Sequence, residues 1–93
     1  MDKKIKKLLL ELFNLSVHVS ETTKYHIHYE YSGTLNYVNI FYFKNESEFK
    51  DIVEILNIYI NSKKGVAAIE ELLLAKDKLL GFITGGDLIE EII

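Results

Sequence analysis

Residues 17–43 read Val17-His18-Val19-Ser20-Glu21-Thr22-Thr23-Lys24-Tyr25-His26-Ile27-His28-Tyr29-Glu30-Tyr31-Ser32-Gly33-Thr34-Leu35-Asn36-Tyr37-Val38-Asn39-Ile40-Phe41-Tyr42-Phe43. The stretch holds five of the six tyrosines, all three histidines and two of the five phenylalanines. Large and polar residues alternate along it, which is the signature of half-buried strands. Val17 and Val19 point one way in a first strand, with His18 opposite. Tyr25, Ile27, Tyr29 and Tyr31 share one side of a second, with His26, His28 and Glu30 on the other. An odd turn at Glu21-Thr22-Thr23 pairs valine with Tyr25 and Ile27, whereas a two-residue turn sets it beside histidine. Ser32-Gly33-Thr34 marks the next turn, where glycine supplies a positive φ. An even loop there puts Val38, Ile40 and Tyr42 with the tyrosine face. The expectation is a meander whose core face carries Val17, Val19, Tyr25, Ile27, Tyr29, Val38, Ile40 and Tyr42. The opposite face carries His18, His26, His28, Glu30, Leu35, Tyr37, Phe41 and Phe43. Half of that face is Leu35, Tyr37, Phe41 and Phe43, large and mostly aromatic, so it is either covered by a helix or a binding patch.

Both flanks have helical spacing. Ile5, Leu8, Leu9, Leu12 and Phe13 predict an amphipathic helix from Asp2 to about Leu15, with Asp2 as its cap. Asn45 and Glu48 stand at capping-box spacing ahead of Phe49, Ile52, Val53, Leu56 and Ile60, which predicts a second helix ending at Asn61–Gly65. A third helix runs from about Val66 to Leu80, with Ile69, Leu72, Leu73, Leu79 and Leu80 inward and Gly81 as its stop. Thr84 and Asp87 cap a short last helix whose Leu88, Ile89, Ile92 and Ile93 must dock on this chain or on a second copy. The fold class is therefore α+β: an N-terminal helix, a three-stranded antiparallel β-meander, then two helices and a short C-terminal helix. One domain spans residues 1–93.

Composition bounds the function. The chain is 48% hydrophobic and 27% charged, the balance of a globular protein. It lacks cysteine, which fits a reducing cytoplasm and removes disulfides and thiolate metal sites. Glu11 breaks the apolar run near the start and no small-residue cleavage site follows, so that run reads as a helix rather than a signal segment. No apolar stretch approaches the roughly 20 residues a membrane span requires. Net charge is −3 and uneven: six lysines meet four acids before residue 45, and five lysines meet ten acids after it. There is no arginine, which disfavours sequence-specific nucleic-acid reading.

Chemistry-bearing clusters are few. The expected register brings His18, His26 and His28 together as candidate metal ligands, without a second carboxylate beyond Glu30 to orient them. Gly81–Gly86 lacks the lysine and hydroxyl pair of a phosphate loop. The serines have no glycine-flanked elbow, and Glu70–Glu71 and Glu90–Glu91 point in different directions along their helices. The chain reads as a non-enzyme without a cofactor. The candidate protein-binding residues are the acids Glu70, Glu71 and Asp77 and the aromatic Tyr37, Phe41 and Phe43. The candidate self-association contacts are Leu88, Ile89, Ile92 and Ile93.

The opening Lys3-Lys4-Ile5-Lys6-Lys7-Leu8-Leu9, the hairpin Tyr31-Ser32-Gly33-Thr34 and the entry Asn45-Glu46-Ser47-Glu48-Phe49 carry a further reading. Together with the order of elements across residues 3–62, they resemble small type II anti-CRISPR proteins of Gram-positive phages and mobile elements. The resemblance implies a phage-encoded inhibitor that acts in the host cytoplasm. Its partner would be a nucleic-acid-binding nuclease complex, blocked by an acidic surface. This chain departs from that group in being only mildly acidic and in its apolar C-terminus, and no functional residue is carried over. Two other readings stand beside it: a homodimer built on the apolar terminus or the aromatic sheet face, and a metal- or small-ligand-binding domain centred on the histidines.

Overall fold

The computed structural model describes residues 1–62 and 65–85. Its elements are α1 (Lys3–Thr22), β1 (His28–Ser32), β2 (Tyr37–Asn45), β3 (Lys50–Tyr59) and α2 (Gly65–Thr84), with short 3-10 turns at Glu46–Glu48 and Ile60–Ser62. The three strands form one antiparallel sheet in the order β1-β2-β3. The α+β class, the leading helix and the antiparallel sheet are as the sequence predicts. The strands that make up the sheet are not.

α1 begins as expected, with Asp2 Oδ1 accepting from the backbone N–H of Lys4 at 2.7 Å and of Ile5 at 3.2 Å. It does not stop at Leu15. Residues 17–19, expected as the first strand, lie within it, and it runs on to Thr22. Its inward stripe is Ile5, Leu8, Leu9, Leu12, Ser16 and Val19, which keeps helical spacing throughout. Ser16 conceals the continuation because it puts a polar residue in a core position. Its hydroxyl donates to the Leu12 carbonyl at 2.7 Å, and the buried Thr23 hydroxyl donates to Val19 at 2.8 Å. Each loses its polarity inside the helix. Val17, expected in the core, is exposed.

The β1–β2 pairing sets Tyr29 opposite Ile40 and Tyr31 opposite Val38. The expected parity of that hairpin holds, and Val38 and Ile40 are fully buried on the inner face. The left-handed turn residue is Asn36 at φ 49° rather than Gly33. Asparagine tolerates this region better than most side chains.

The largest correction is residues 50–59, expected as a helix and found as β3. Asn45 and Glu48 do meet, Nδ2 to Oε2 at 3.2 Å, but they close only the single 3-10 turn. Phe49 and Asp51 then take left-handed φ values of 52° and 61°, and the chain reverses into the strand. The misleading spacing has a specific cause. Ile40 pairs with Leu56 and Phe41 with Glu54, which leaves Ile55 as an extra residue in a β-bulge. Inward positions therefore fall at 53, 55, 56, 58 and 60. A period of two with one slip imitates a helical stripe. The dense β-branching of Ile52, Val53, Ile55, Ile58 and Ile60 is the competing strand signal, and it prevails once β2 offers a partner.

α2 is the expected third helix, extended through Gly81 to Thr84. Ala68, Leu72, Ala75 and Leu79 are buried, whereas Leu73 and Leu80, expected inward, are exposed. The two alanines explain the difference, since small residues let α1 and α2 approach closely along that stripe. Lys76 Nζ reaches Glu11 Oε2 across the helix pair at 3.0 Å. Gly85 ends the turn, and a Cβ there would stand 2.6 Å from the Gly81 carbonyl oxygen. The expected short helix with Leu88, Ile89, Ile92 and Ile93 lies outside the described residues. The buried faces of both helices and the inner face of the sheet form one core. Both helices therefore cover the same side of the sheet.

Candidate functional site

Cross-strand pairing fixes what the opposite side carries. Ser32, Tyr37 and Tyr59 make the first row, and Glu30, Asn39 and Asn57 the second. His28, Phe41 and Glu54 form the third, after which come Phe43 with Ile52 and Asn45 with Lys50. The described helices lie on the other side, and the exposures agree: Phe49 is 68% exposed, Ile52 59% and Tyr59 50%. Isolated exposed apolar residues are ordinary, but a contiguous group marks an interaction surface.

The rings are ordered among themselves. His28 stacks on Phe41, centroids 5.0 Å apart and 7° from parallel. Phe43 meets His28 edge-on at 5.2 Å and Phe41 at 5.6 Å. Phe49 extends the series, edge-on to Phe43 at 5.6 Å. At the far end Tyr37 and Tyr59 lie 4.7 Å apart. Phe49 holds its ring out from a left-handed backbone, a conformation that costs a bulky residue about 1–2 kcal/mol.

The middle of the face is polar. Asn57 Nδ2 donates to Glu54 Oε1 at 2.9 Å. Burial pushes the Tyr37 hydroxyl pKa above its ordinary value, and Tyr59, Glu30 and Glu54 push it the same way. The two carboxylates thus make the centre negative. Asn39 Oδ1 and His28 Nε2 are buried without a hydrogen-bond partner among the described residues. An acceptor or ring nitrogen left unpaired in this way costs about 1–3 kcal/mol where no water reaches it. At the rim His26 Nδ1 pairs with Glu46 at 2.6 Å.

Compared with known proteins, the chain matches no family model, no curated protein and no solved structure.

Of the residues singled out from sequence, Tyr37, Phe41 and Phe43 share this face with His28. His18 is on α1, exposed, and not opposite His26 as the expected register had it. Among the described residues no group of three or more His, Cys, Asp or Glu side chains is placed to hold a metal ion. Glu70 and Asp77 are exposed on α2 and Glu71 is half-buried. Glu70 and Asp77 project opposite the Ala68–Leu79 stripe, so the acids and the rings lie on different sides of the molecule. Among the described residues no helix is long and apolar enough to cross a membrane.

Phe49, Ile52, Glu54, Asn57 and Tyr59 belong to the face but were hidden by the helical reading of β3. Their β-branched neighbours were the available signal. A second surface was also missed: an apolar groove of about 460 Å³ beside β1, lined by Leu9, Leu10, Phe13, Tyr29 and Tyr31. In the sequence Phe13 belongs to the helical stripe, whereas Leu10 falls outside it. Chemically, the sheet face offers flat ring surfaces, acceptor oxygens and negative charge.

Proposed function

We propose that the chain is a non-enzymatic protein-binding module that engages its partner through the open sheet face. The ordered ring series His28–Phe41–Phe43–Phe49, on the side of the sheet away from both described helices, carries this reading. Its finer form is an inhibitor of a nucleic-acid-handling protein in the host cytoplasm. The likeness of its opening Lys3–Leu9 and its hairpin Tyr31–Thr34 to anti-CRISPR proteins supports that form, as does the lack of arginine for binding nucleic acid directly.

The test is capture after crosslinking in cells, comparing the wild type with Phe41→Ser/Phe43→Ser and with Glu70→Lys/Asp77→Lys. A partner recovered by the wild type and by the α2 variant, and lost with the sheet variant, is the expected result. Unchanged capture by the sheet variant would overturn the reading. The same face could instead receive a second copy. Light scattering that reads above 10.8 kDa, and returns to 10.8 kDa in the sheet variant, would identify that occupant.

A further inference from the structure

The sheet face is more specific than its rings alone. Between its two aromatic ends runs a row without rings, Glu30 on β1, Asn39 on β2 and Asn57 on β3, with Glu54 held by Asn57. Glu30 and Glu54 are both exposed and stand on outer strands, on the order of 10 Å apart from two strand spacings. The positive groups near the face are engaged at its rim: Lys50 with Glu48 at 3.5 Å and His26 with Glu46. The charge presented at the centre is therefore negative. It is bounded by the ring of Phe41 on one side and that of Tyr37 on the other.

Three occupants can be weighed. Single-stranded nucleic acid stacks on aromatic sheet faces, but it needs a positive field for its phosphates, and this face has the opposite sign. A second copy packed face to face about a two-fold axis through this row would bring Glu30 and Glu54 near their own counterparts, with lysine but no arginine to offset them. A cationic segment of another protein satisfies both halves of the surface. Arginine does so best, because its planar guanidinium lies flat on a ring while its edge donates to a carboxylate. We propose that the centre of this face is a docking site for an arginine-bearing segment of a partner protein, with Glu30 and Glu54 as its acceptors and Phe41 and Tyr37 as its stacking rings. The proposal rests on the sheet-face reading above.

The probes are labelled peptides of alternating glycine with arginine, lysine or glutamate, and a labelled oligothymidylate, followed by fluorescence anisotropy at near-physiological salt. The arginine peptide should bind more tightly than the lysine peptide, and the glutamate peptide and oligothymidylate should not bind. Glu30→Gln/Glu54→Gln should weaken the arginine peptide about tenfold, the size of one charge-assisted hydrogen bond. Both positions are exposed and the substitution keeps their shape, so an unchanged melting curve shows that the fold is intact. Glu70→Gln/Asp77→Gln on α2 should leave affinity as it was. Equal loss from both pairs would reveal general attraction to an acidic protein and overturn the proposal, as would a lysine peptide binding as tightly, or oligothymidylate binding through this face. If the arginine peptide fails while partner capture still depends on Phe41 and Phe43, the arginine site falls and the sheet-face reading stands. If capture does not depend on those rings, the sheet-face reading itself falls.

Discussion

Ser16 and Ser20 sit one turn apart on α1 and do different work. Each hydroxyl donates to the carbonyl four residues back, Ser16 to Leu12 at 2.7 Å and Ser20 to Ser16 at 2.8 Å. Ser20 Oγ also accepts from the Ile27 backbone N–H at 2.8 Å, which ties the connecting segment to the helix. Ser16→Ala leaves the Leu12 carbonyl its helical partner, so it should be neutral or stabilising by about 0.5 kcal/mol, the helix-propensity gain. Ser20→Ala strands the Ile27 N–H and should cost about 1–2 kcal/mol. Paired urea melts would separate the two, and equal losses would contradict this assignment. Asp51, exposed at φ 61°, gives a second contrast. Asp51→Gly should be neutral to slightly stabilising, while Asp51→Val should lose about 1–2 kcal/mol, because a β-branched residue pays the full left-handed penalty.

Among the elements, β3 has the most to test. Removing Ile55 altogether would let Glu54 follow Leu56 in an unbroken ladder with every other side chain on its present face. That deletion should keep the sheet and cost only what an emptied core position costs, about 2–5 kcal/mol. Removing the exposed Asn57 instead would turn Ile58 and Ile60 relative to the rest of the strand, and it should abolish cooperative unfolding. Circular dichroism and amide NMR spectra of the two deletions would decide. The same bulge explains why this part of the fold was not legible beforehand. A strand whose pattern slips once looks helical to any reading by period, and only its β-branching speaks against that. α1 was legible through Leu12 and lost at Ser16, because a hydroxyl in a core position is acceptable only when a carbonyl four residues back receives it. The face parity of Tyr29, Val38 and Ile40 was legible because alternation there is unbroken. The site was half legible for the same reasons: Tyr37, Phe41 and Phe43 lie on the unbroken strand, whereas Glu54, Asn57 and Tyr59 lie on the slipped one.

For the molecule as a whole, α1 and the sheet meet at Tyr29, whose hydroxyl donates to the Leu9 carbonyl at 2.9 Å. Burial first, and Tyr31 second, raise its pKa to about 12 from the ordinary 10.0. The fold thus favours the neutral phenol. Its contribution is fully present below about pH 10 and is lost as pH rises through about 12, because the unfolded chain gives up that proton earlier. Stability should fall across that window, and Tyr29→Phe should flatten the fall in denaturant melts. An alkaline limb of the same slope in that variant would contradict the assignment. The bulge at Ile55 has one more consequence, for how copies of this chain tolerate one another. β3 is an outer strand of ten residues, long enough to template the addition of further chains edge to edge. The slip in its ladder bends and overtwists that edge, so an incoming straight strand can follow it for only part of its length. The irregularity that disguises the strand also guards the protein against growing into a fibril.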